Sequence, residues 1–177
     1  MSRAAIYQPQ TDTYLIPLTQ DYEATVDAVD VGLTGVLWMA KPYPRTVYAY
    51  RHTPCVNGKR EMVLMHRVIL ALMLDRDLLA NECVDHINGK GLDNTRGNLR
   101  LATPAENSAN SRKPRNNTSG LTGVCWNKHA GKWSARIMVN DTRIHLGYYT
   151  SKDEAHSAYN AAAEKHFGEF ANNGGGE

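Results

Sequence analysis

The sequence predicts an α+β fold made of several small pieces rather than one large sheet. Three observations carry this. Short runs rich in β-branched and aromatic residues recur between turn signals along most of the 177 residues. Two S/T-x-x-E capping boxes, Thr103–Glu106 and Ser151–Glu154, each announce a helix. Between them the stretch SRKPRNNTSG, Ser111 to Gly120, is basic, contains proline and is rich in Asn, Ser and Gly, the composition of a linker. The expected parts are a β-rich N-terminal region (1–56), a hairpin-and-helix core (57–112), the basic linker (113–119), a three-stranded antiparallel sheet packed on one helix (120–172) and a flexible tail (173–177).

In the first part, TYLIPLT is strand-like and TVDAVDVGLT suits a short helix or turn. VLWMAK and TVYAYRHT look like paired strands across Pro42-Tyr43-Pro44. In GKREMVLMHRVILALML, Gly58 to Leu74, the period changes from strand to helix. Val68 with Leu72, and Ile69 with Met73, sit at helical spacing and are expected to pack on the following hairpin. ECVDHI and NLRLAT then read as two strands joined by the polar loop INGKGLDNTRG, punctuated by Gly89, Gly91 and Gly97. Thr103 is a suitable N-cap, Pro104 suits the first helical position, and Asn107 and Asn110, three apart, share a helix face.

Beyond the linker, GVCWN, KWSARIMV and RIHLGYY read as strands with turns at HAG and NDT. The second capping box opens a helix to about Phe167, with Ala155, Ala158, Tyr159, Ala162 and His166 as its expected buried stripe.

Charge is unevenly placed. The net value is +2, but residues 1–40 hold one arginine against five carboxylates, for −4. From Arg96 to Arg136 eight cations face only Glu106, for +7. Such a concentration points to a polyanion. No apolar run approaches the ~20 residues a membrane helix needs, and Met1 to Gln10 has no apolar core for a secretory signal. Cys55, Cys83 and Cys125 are odd in number and widely spaced, so neither a disulfide framework nor a zinc site is expected, and a reducing interior is.

The run from Cys83 to Arg112 carries the chemistry. Cutting a phosphodiester needs a base for the attacking water and a positive centre at the phosphate. An imidazole titrates near neutrality and can be the base, which makes His86 the candidate. A hard divalent ion on oxygen ligands can be the positive centre, which makes Asp85 and the Asn107 amide oxygen the candidate ligands. Adjacent strand residues point to opposite faces. Asp85 and His86 can therefore serve one phosphate only from a strand end or a bulge. Asn98 could close the loop through side-chain-to-backbone bonds.

Asp85-His86, Asn98 and Asn107, with the capping box between the last two, resemble the ββα-metal core of HNH nucleases, especially phage and intron-associated homing endonucleases. The resemblance implies His86 as general base, Asn98 orienting it, and Asp85 and Asn107 holding one metal ion. The chain reads H-N-N rather than H-N-H, and oxygen ligands favour Mg²⁺ or Mn²⁺ over Zn²⁺. A His-Arg pair like His66-Arg67 recurs in that family. Arg67 would contact phosphate, and His66 would either support the base or make structural hydrogen bonds. Residues from Ser119 to Asn172 (G-V-x-W, K-W-x-A-R-I, R-I-x-L-G-x-Y, then A-Y-N-x-A-A) resemble the APETALA-type, or ethylene-response-factor, DNA-binding domain. In that family the sheet lies in the major groove. The expected contact face is Trp126, Lys128, Arg136 and Arg143, joined by Arg100 and the linker cations Arg112, Lys113 and Arg115 on phosphates. Cys125 and His145 stand where plant members carry Arg and Trp, so the plant target is not expected.

Together these imply a site-specific DNA endonuclease of HNH homing type, with one Mg²⁺ or Mn²⁺ per active site. It would nick or cut double-stranded DNA in the cytoplasm of a bacterial or phage-infected cell, with a monomer favoured and no small-molecule cofactor. The alternative is a catalytically inactive, sequence-specific DNA-binding protein.

Overall fold

The computed structural model describes residues 4–110, 117–140 and 142–171. The chain is mixed α and β, with four small antiparallel sheets and three α-helices among the described residues. It divides after Ala102 into two compact units.

The first unit begins with a meander of β1 (Ile6–Gln8), β2 (Thr13–Pro17) and β3 (Glu23–Asp27), paired in that order. A 3-10 segment, Ala28–Gly35, follows. A second sheet comprises β4 (Met39–Pro42), β5 (Val47–His52) and β6 (Met62–Leu64). Tyr43 and Thr46 close the β4–β5 turn, the Tyr43 amide donating to the Thr46 carbonyl at 2.8 Å. Helix α1 (Met65–Leu74) ends where Asp75 adopts the left-handed conformation at φ 50°. The hairpin of β7 (Cys83–His86) and β8 (Leu99–Ala102) completes the unit.

One core joins these pieces. Ile16, Val26, Ala49, Met65, Ile69 and Leu99 meet in it, from both sheets, the helix and the hairpin, with Trp38 beside them. Ile69 is fully buried, so truncating it to alanine would cost about 2–5 kcal/mol. The buried face of α1 is Met65, His66, Ile69 and Leu70. That departs from the expected stripe: Leu72 lies at the margin of this face and Met73 in the final turn, and both stay exposed.

The second unit opens with α2 (Pro104–Ala109), whose capping box is complete. The Thr103 hydroxyl accepts from the Glu106 amide, and the Glu106 carboxylate accepts from the Thr103 amide. Strands β9 (Val124–Asn127), β10 (Lys132–Val139) and β11 (Thr142–Tyr149) form a sheet with β10 central. Helix α3 (Lys152–Phe167) covers one face, anchored by the Ser151–Glu154 capping box. Its buried row is Ala155, Tyr159 and Ala163, at strict i, i+4 spacing. His166, expected in that row, is exposed, because Ala163 takes the next buried turn. Gly123, at φ +73°, is required here: a Cβ would run into the Tyr159 ring and lie 2.7 Å from the Arg136 carbonyl oxygen.

Candidate active site

His86 is the last residue of β7, so the chain leaves the ladder there. Asp85 pairs across the hairpin with Arg100, and His86 with Leu99. Both are buried, Asp85 to 3% and His86 to 5% exposure. Their side chains meet different surroundings, as the alternation of a strand requires. Arg100 donates from Nε to Asp85 Oδ2 at 2.8 Å, and its Nη2 lies 2.8 Å from the same oxygen.

His86 lies among rings. The His66 ring stands edge-on to it, centroids 5.0 Å apart at 87°, and the Tyr48 ring is 5.7 Å away. Tyr48 and His66 also meet edge-on at 5.0 Å. Burial pushes the His86 imidazole below its ordinary pKa, against the opposing pull of Asn94, Asp85 and Asp93. A base kept neutral at working pH is ready to accept a proton. His66 is pushed further, to about 3, by burial first and then by the neighbouring His86 and Arg67. Its Nδ1 is buried without a hydrogen-bond partner. His66 is therefore a neutral ring at physiological pH, and not a base.

Asn94 offers a polar atom to the His86 ring. It is fully buried, and its Oδ1 lies 3.4 Å from His86 Nε2. The amide orientation is set, because Asn94 Nδ2 donates to the Leu92 carbonyl at 3.1 Å. Oδ1 can only accept, so this contact suits the neutral tautomer that carries its proton on Nε2. Asn98 has a different place. Its Oδ1 accepts from the Asn88 amide at 3.0 Å and its Nδ2 donates to the Asp93 carbonyl at 2.7 Å. Its own carbonyl accepts from the Ile87 amide at 2.9 Å. Asn98 thus staples the loop that begins after His86, and its side chain is engaged with backbone rather than with the imidazole.

Sequence reasoning singled out neither Asn94 nor Tyr48. The signal for Asn94 was a second Asn in the loop, beside Asp93. Tyr48 could not be found, because it comes from β5, far away in sequence. Its ring packs against Gly91, where a Cβ would sit 2.6 Å from both the ring and the Val47 carbonyl oxygen. The Gly91 amide also donates to Thr46 Oγ1 at 2.8 Å.

Arg67, expected on phosphate, donates to the Glu82 carbonyl at 2.8 Å and the Leu79 carbonyl at 3.3 Å. It braces the segment that leads into β7. Arg100 is engaged by Asp85. Among the described residues no three His, Cys, Asp or Glu side chains converge as a metal cluster. A Mg²⁺ site does not require one, since that ion commonly takes one or two carboxylates and fills its shell with water and substrate phosphate. The Asp85 carboxylate, and the Asn107 amide on α2 of the second unit, have the oxygen chemistry for it.

In the second unit, register sorts the candidate contact residues. Trp126 pairs with Trp133, and the two rings meet at 5.2 Å. Trp133 packs into the helix-side core, so Trp126 shares that face, not the open one expected for it, although it is 49% exposed. The open face carries Lys132, Ser134, Arg136 and Met138 from β10, and Arg143, His145 and Tyr148 from β11. A bulge at Leu146 separates the pairs Ala135–Gly147 and Arg136–His145. His145 and Tyr148 lie side by side at 4.6 Å. Arg136 donates to Ser134 Oγ at 3.2 Å. No carboxylate lies on that face among the described residues of the three strands. Lys128 is exposed in the turn after β9. Arg112, Lys113 and Arg115 lie outside the described residues.

The chain is 34% identical over 107 residues to a protein of Acanthamoeba polyphaga mimivirus named uncharacterized HNH endonuclease L560, covering 60% of this chain and 54% of that protein. It is also 46% identical over 54 residues to Protein 3.8 of Escherichia phage T7, covering 30% of this chain and 45% of that protein. The chain thus spans about half the length of these relatives. No protein-family model and no solved structure matches it.

Proposed function

We propose that this chain is a metal-dependent DNA endonuclease of HNH homing type. The observation that carries the reading is His86: a buried imidazole, its pKa lowered by burial, at the end of a hairpin strand, next to a carboxylate and against the Asn94 amide oxygen. The similarity to a viral protein named as an HNH endonuclease supports the same reading.

In this reading His86 Nδ1 accepts the proton of the water that attacks phosphorus. Asn94 holds the opposite nitrogen as a donor, and Asn98 holds the loop after the base. Asp85 and Asn107 would hold one Mg²⁺ or Mn²⁺, which supplies positive charge at the scissile phosphate and the leaving oxygen. His66 and Tyr48 exclude water from the buried side of the base. Arg100 orients Asp85.

The second unit would supply affinity. Its open sheet face offers Arg136, Arg143, Lys132, His145 and Tyr148 to a nucleic-acid groove, in the manner of the APETALA-type domain it resembles. Lys128 and the linker residues Arg112, Lys113 and Arg115 would add phosphate contacts.

One observation favours a second reading, a DNA-binding protein that does not cut: Asp85 Oδ2 already carries Arg100. The test separates the two. Supercoiled DNA from the genome that encodes the chain, or from near relatives, is incubated with wild type and His86→Ala in Mg²⁺, in Mn²⁺ and in EDTA. Metal-dependent nicking or linearisation by wild type alone supports the nuclease. Salt-sensitive binding by both, with no cutting in either metal, supports the binding protein.

A further inference from the structure

The first forty residues are acidic, and one of their carboxylates is among the most deeply buried charges of the first unit. The Asp30 side chain has no exposed surface. It interrupts the 3-10 segment at φ −94°, ψ 17°, and both its oxygens face Arg96: Nε donates to Oδ2 at 2.9 Å and Nη2 to Oδ1 at 2.8 Å. The Arg96 backbone amide donates to Asp27 Oδ2 at 2.6 Å. Two carboxylates thus grip one residue of the β7–β8 loop, by its side chain and by its main chain.

That residue opens the short 3-10 turn Arg96–Asn98. Asn98 staples the chain after His86, as described above. The same N-terminal strand reaches the other side of the loop. The Thr25 amide donates to the Leu92 carbonyl at 2.9 Å, and the Asn94 amide donates to the Thr25 carbonyl at 2.8 Å. Asn94 is the residue against His86 Nε2. The asparagine against the imidazole and the one that staples the loop after it are therefore both tied to groups from residues 25–30.

We propose that Asp30 is a positioning residue for the candidate active site, acting through Arg96 on the loop that carries Asn94 and Asn98. The proposal rests on the reading of His86 as the base. A buried ion pair contributes little net stability, because desolvation offsets its attraction, and an apolar pair would hold a core equally well. What the forked pair adds is a fixed direction: two parallel bonds admit one orientation of the Arg96 side chain. The −4 charge of the first forty residues, which reads as a poor match for DNA, then has an internal use.

The experiment compares wild type, Asp30→Asn and Arg96→Lys in the full chain. Three quantities are measured: the single-turnover cutting rate at saturating DNA, the DNA dissociation constant, and amide exchange at Asn94, Arg96 and Asn98 against the β7–β8 ladder. The expected result is a rate lowered about tenfold or more, from misplacement near the reacting atoms, with affinity unchanged. Loop amides should exchange faster while ladder amides do not. If Asp30→Asn does not fold, Arg96→Lys, which keeps the charge and loses the fork, carries the test. Unchanged rate and unchanged loop exchange overturn the proposal. So does a rate that falls together with affinity and ladder protection, or loss of cooperative folding in both variants, since the pair is then structural. If wild type cuts no DNA, the nuclease reading fails by itself, and loop exchange alone decides whether Asp30 positions the loop.

Discussion

Replacing His66 by phenylalanine should remove a pH dependence of stability from the first unit. The His66 imidazole has a pKa of about 3 in the fold, against 6.5 when unperturbed. The unfolded chain therefore binds a proton that the folded chain refuses throughout the interval between those values. Stability rises with pH wherever the unfolded state holds more protons, so this group destabilises the fold as pH falls below 6.5. Between pH 7.5 and 5 the linkage amounts to about 2 kcal/mol, at ~1.4 kcal/mol per pH unit below the unfolded value. Phenylalanine keeps an aromatic ring against Tyr48 and His86 and has nothing to titrate. It also removes a buried nitrogen that has no hydrogen-bond partner, so at pH 7.5 the cost should stay within about 1.5 kcal/mol. The assay is urea denaturation with 5-fluorotryptophan, followed by fluorine NMR. Trp38 is the one tryptophan of the first unit, so its resonance reports that unit alone. Wild type should lose about 2 kcal/mol more than His66→Phe between the two pH values. Equal losses would refute the neutral, buried His66.

Four further outcomes are expected. Gly91→Ala should destabilise the first unit by about 1–3 kcal/mol in the same assay, because the Val47 main chain cannot retreat from the added carbon. Asn94→Leu leaves His86 Nε2 without its acceptor; nitrogen NMR of the imidazole should show the Nε2-protonated form giving way to a mixture, and an unchanged tautomer would sink the role given to Asn94. Arg136→Ala and Arg143→Ala should each weaken binding to duplex DNA and lower the salt slope by about 1, as read from titrations at several salt concentrations. Thr103→Ala should cost the second unit about 1 kcal/mol by urea denaturation, through loss of the α2 cap.

What could be read from sequence was local. The β7–β8 hairpin, both capping boxes and the three C-terminal strands follow from alternation, turn residues and cap spacing, all within a dozen positions. Asp85 and His86 stood out because a carboxylate beside an imidazole before a glycine-rich loop has a chemical use. The partners of His86 were not legible. Whether Asn94 or Asn98 faces the ring depends on how the loop is folded, and Thr25 decides that from the first sheet. Asp30 and Arg96 are 66 residues apart, so no pattern couples them. Trp126 was misplaced for a similar reason. Its face depends on pairing with Trp133 across a turn, and composition does not reveal register. His166 and Leu72 were expected inside because helical spacing marks a stripe but not its centre or its end.

The bulge at Leu146 makes the open sheet face depend on counting as well as on chemistry. In an unbroken strand His145 and Tyr148, three positions apart, would look in opposite directions. The extra residue resets the alternation, so both rings reach the surface while Leu146 and Tyr149 turn into the helix-side core. Deleting Leu146 would return the strand to plain alternation: His145 and Tyr148, then two apart, would still share the open face with Tyr149 on the helix side, and what is lost is the Leu146 side chain from the core. A substitution at the same position that keeps the chain length would leave the surface in phase. The bulge is therefore where this strand can lose a residue without turning its neighbours over.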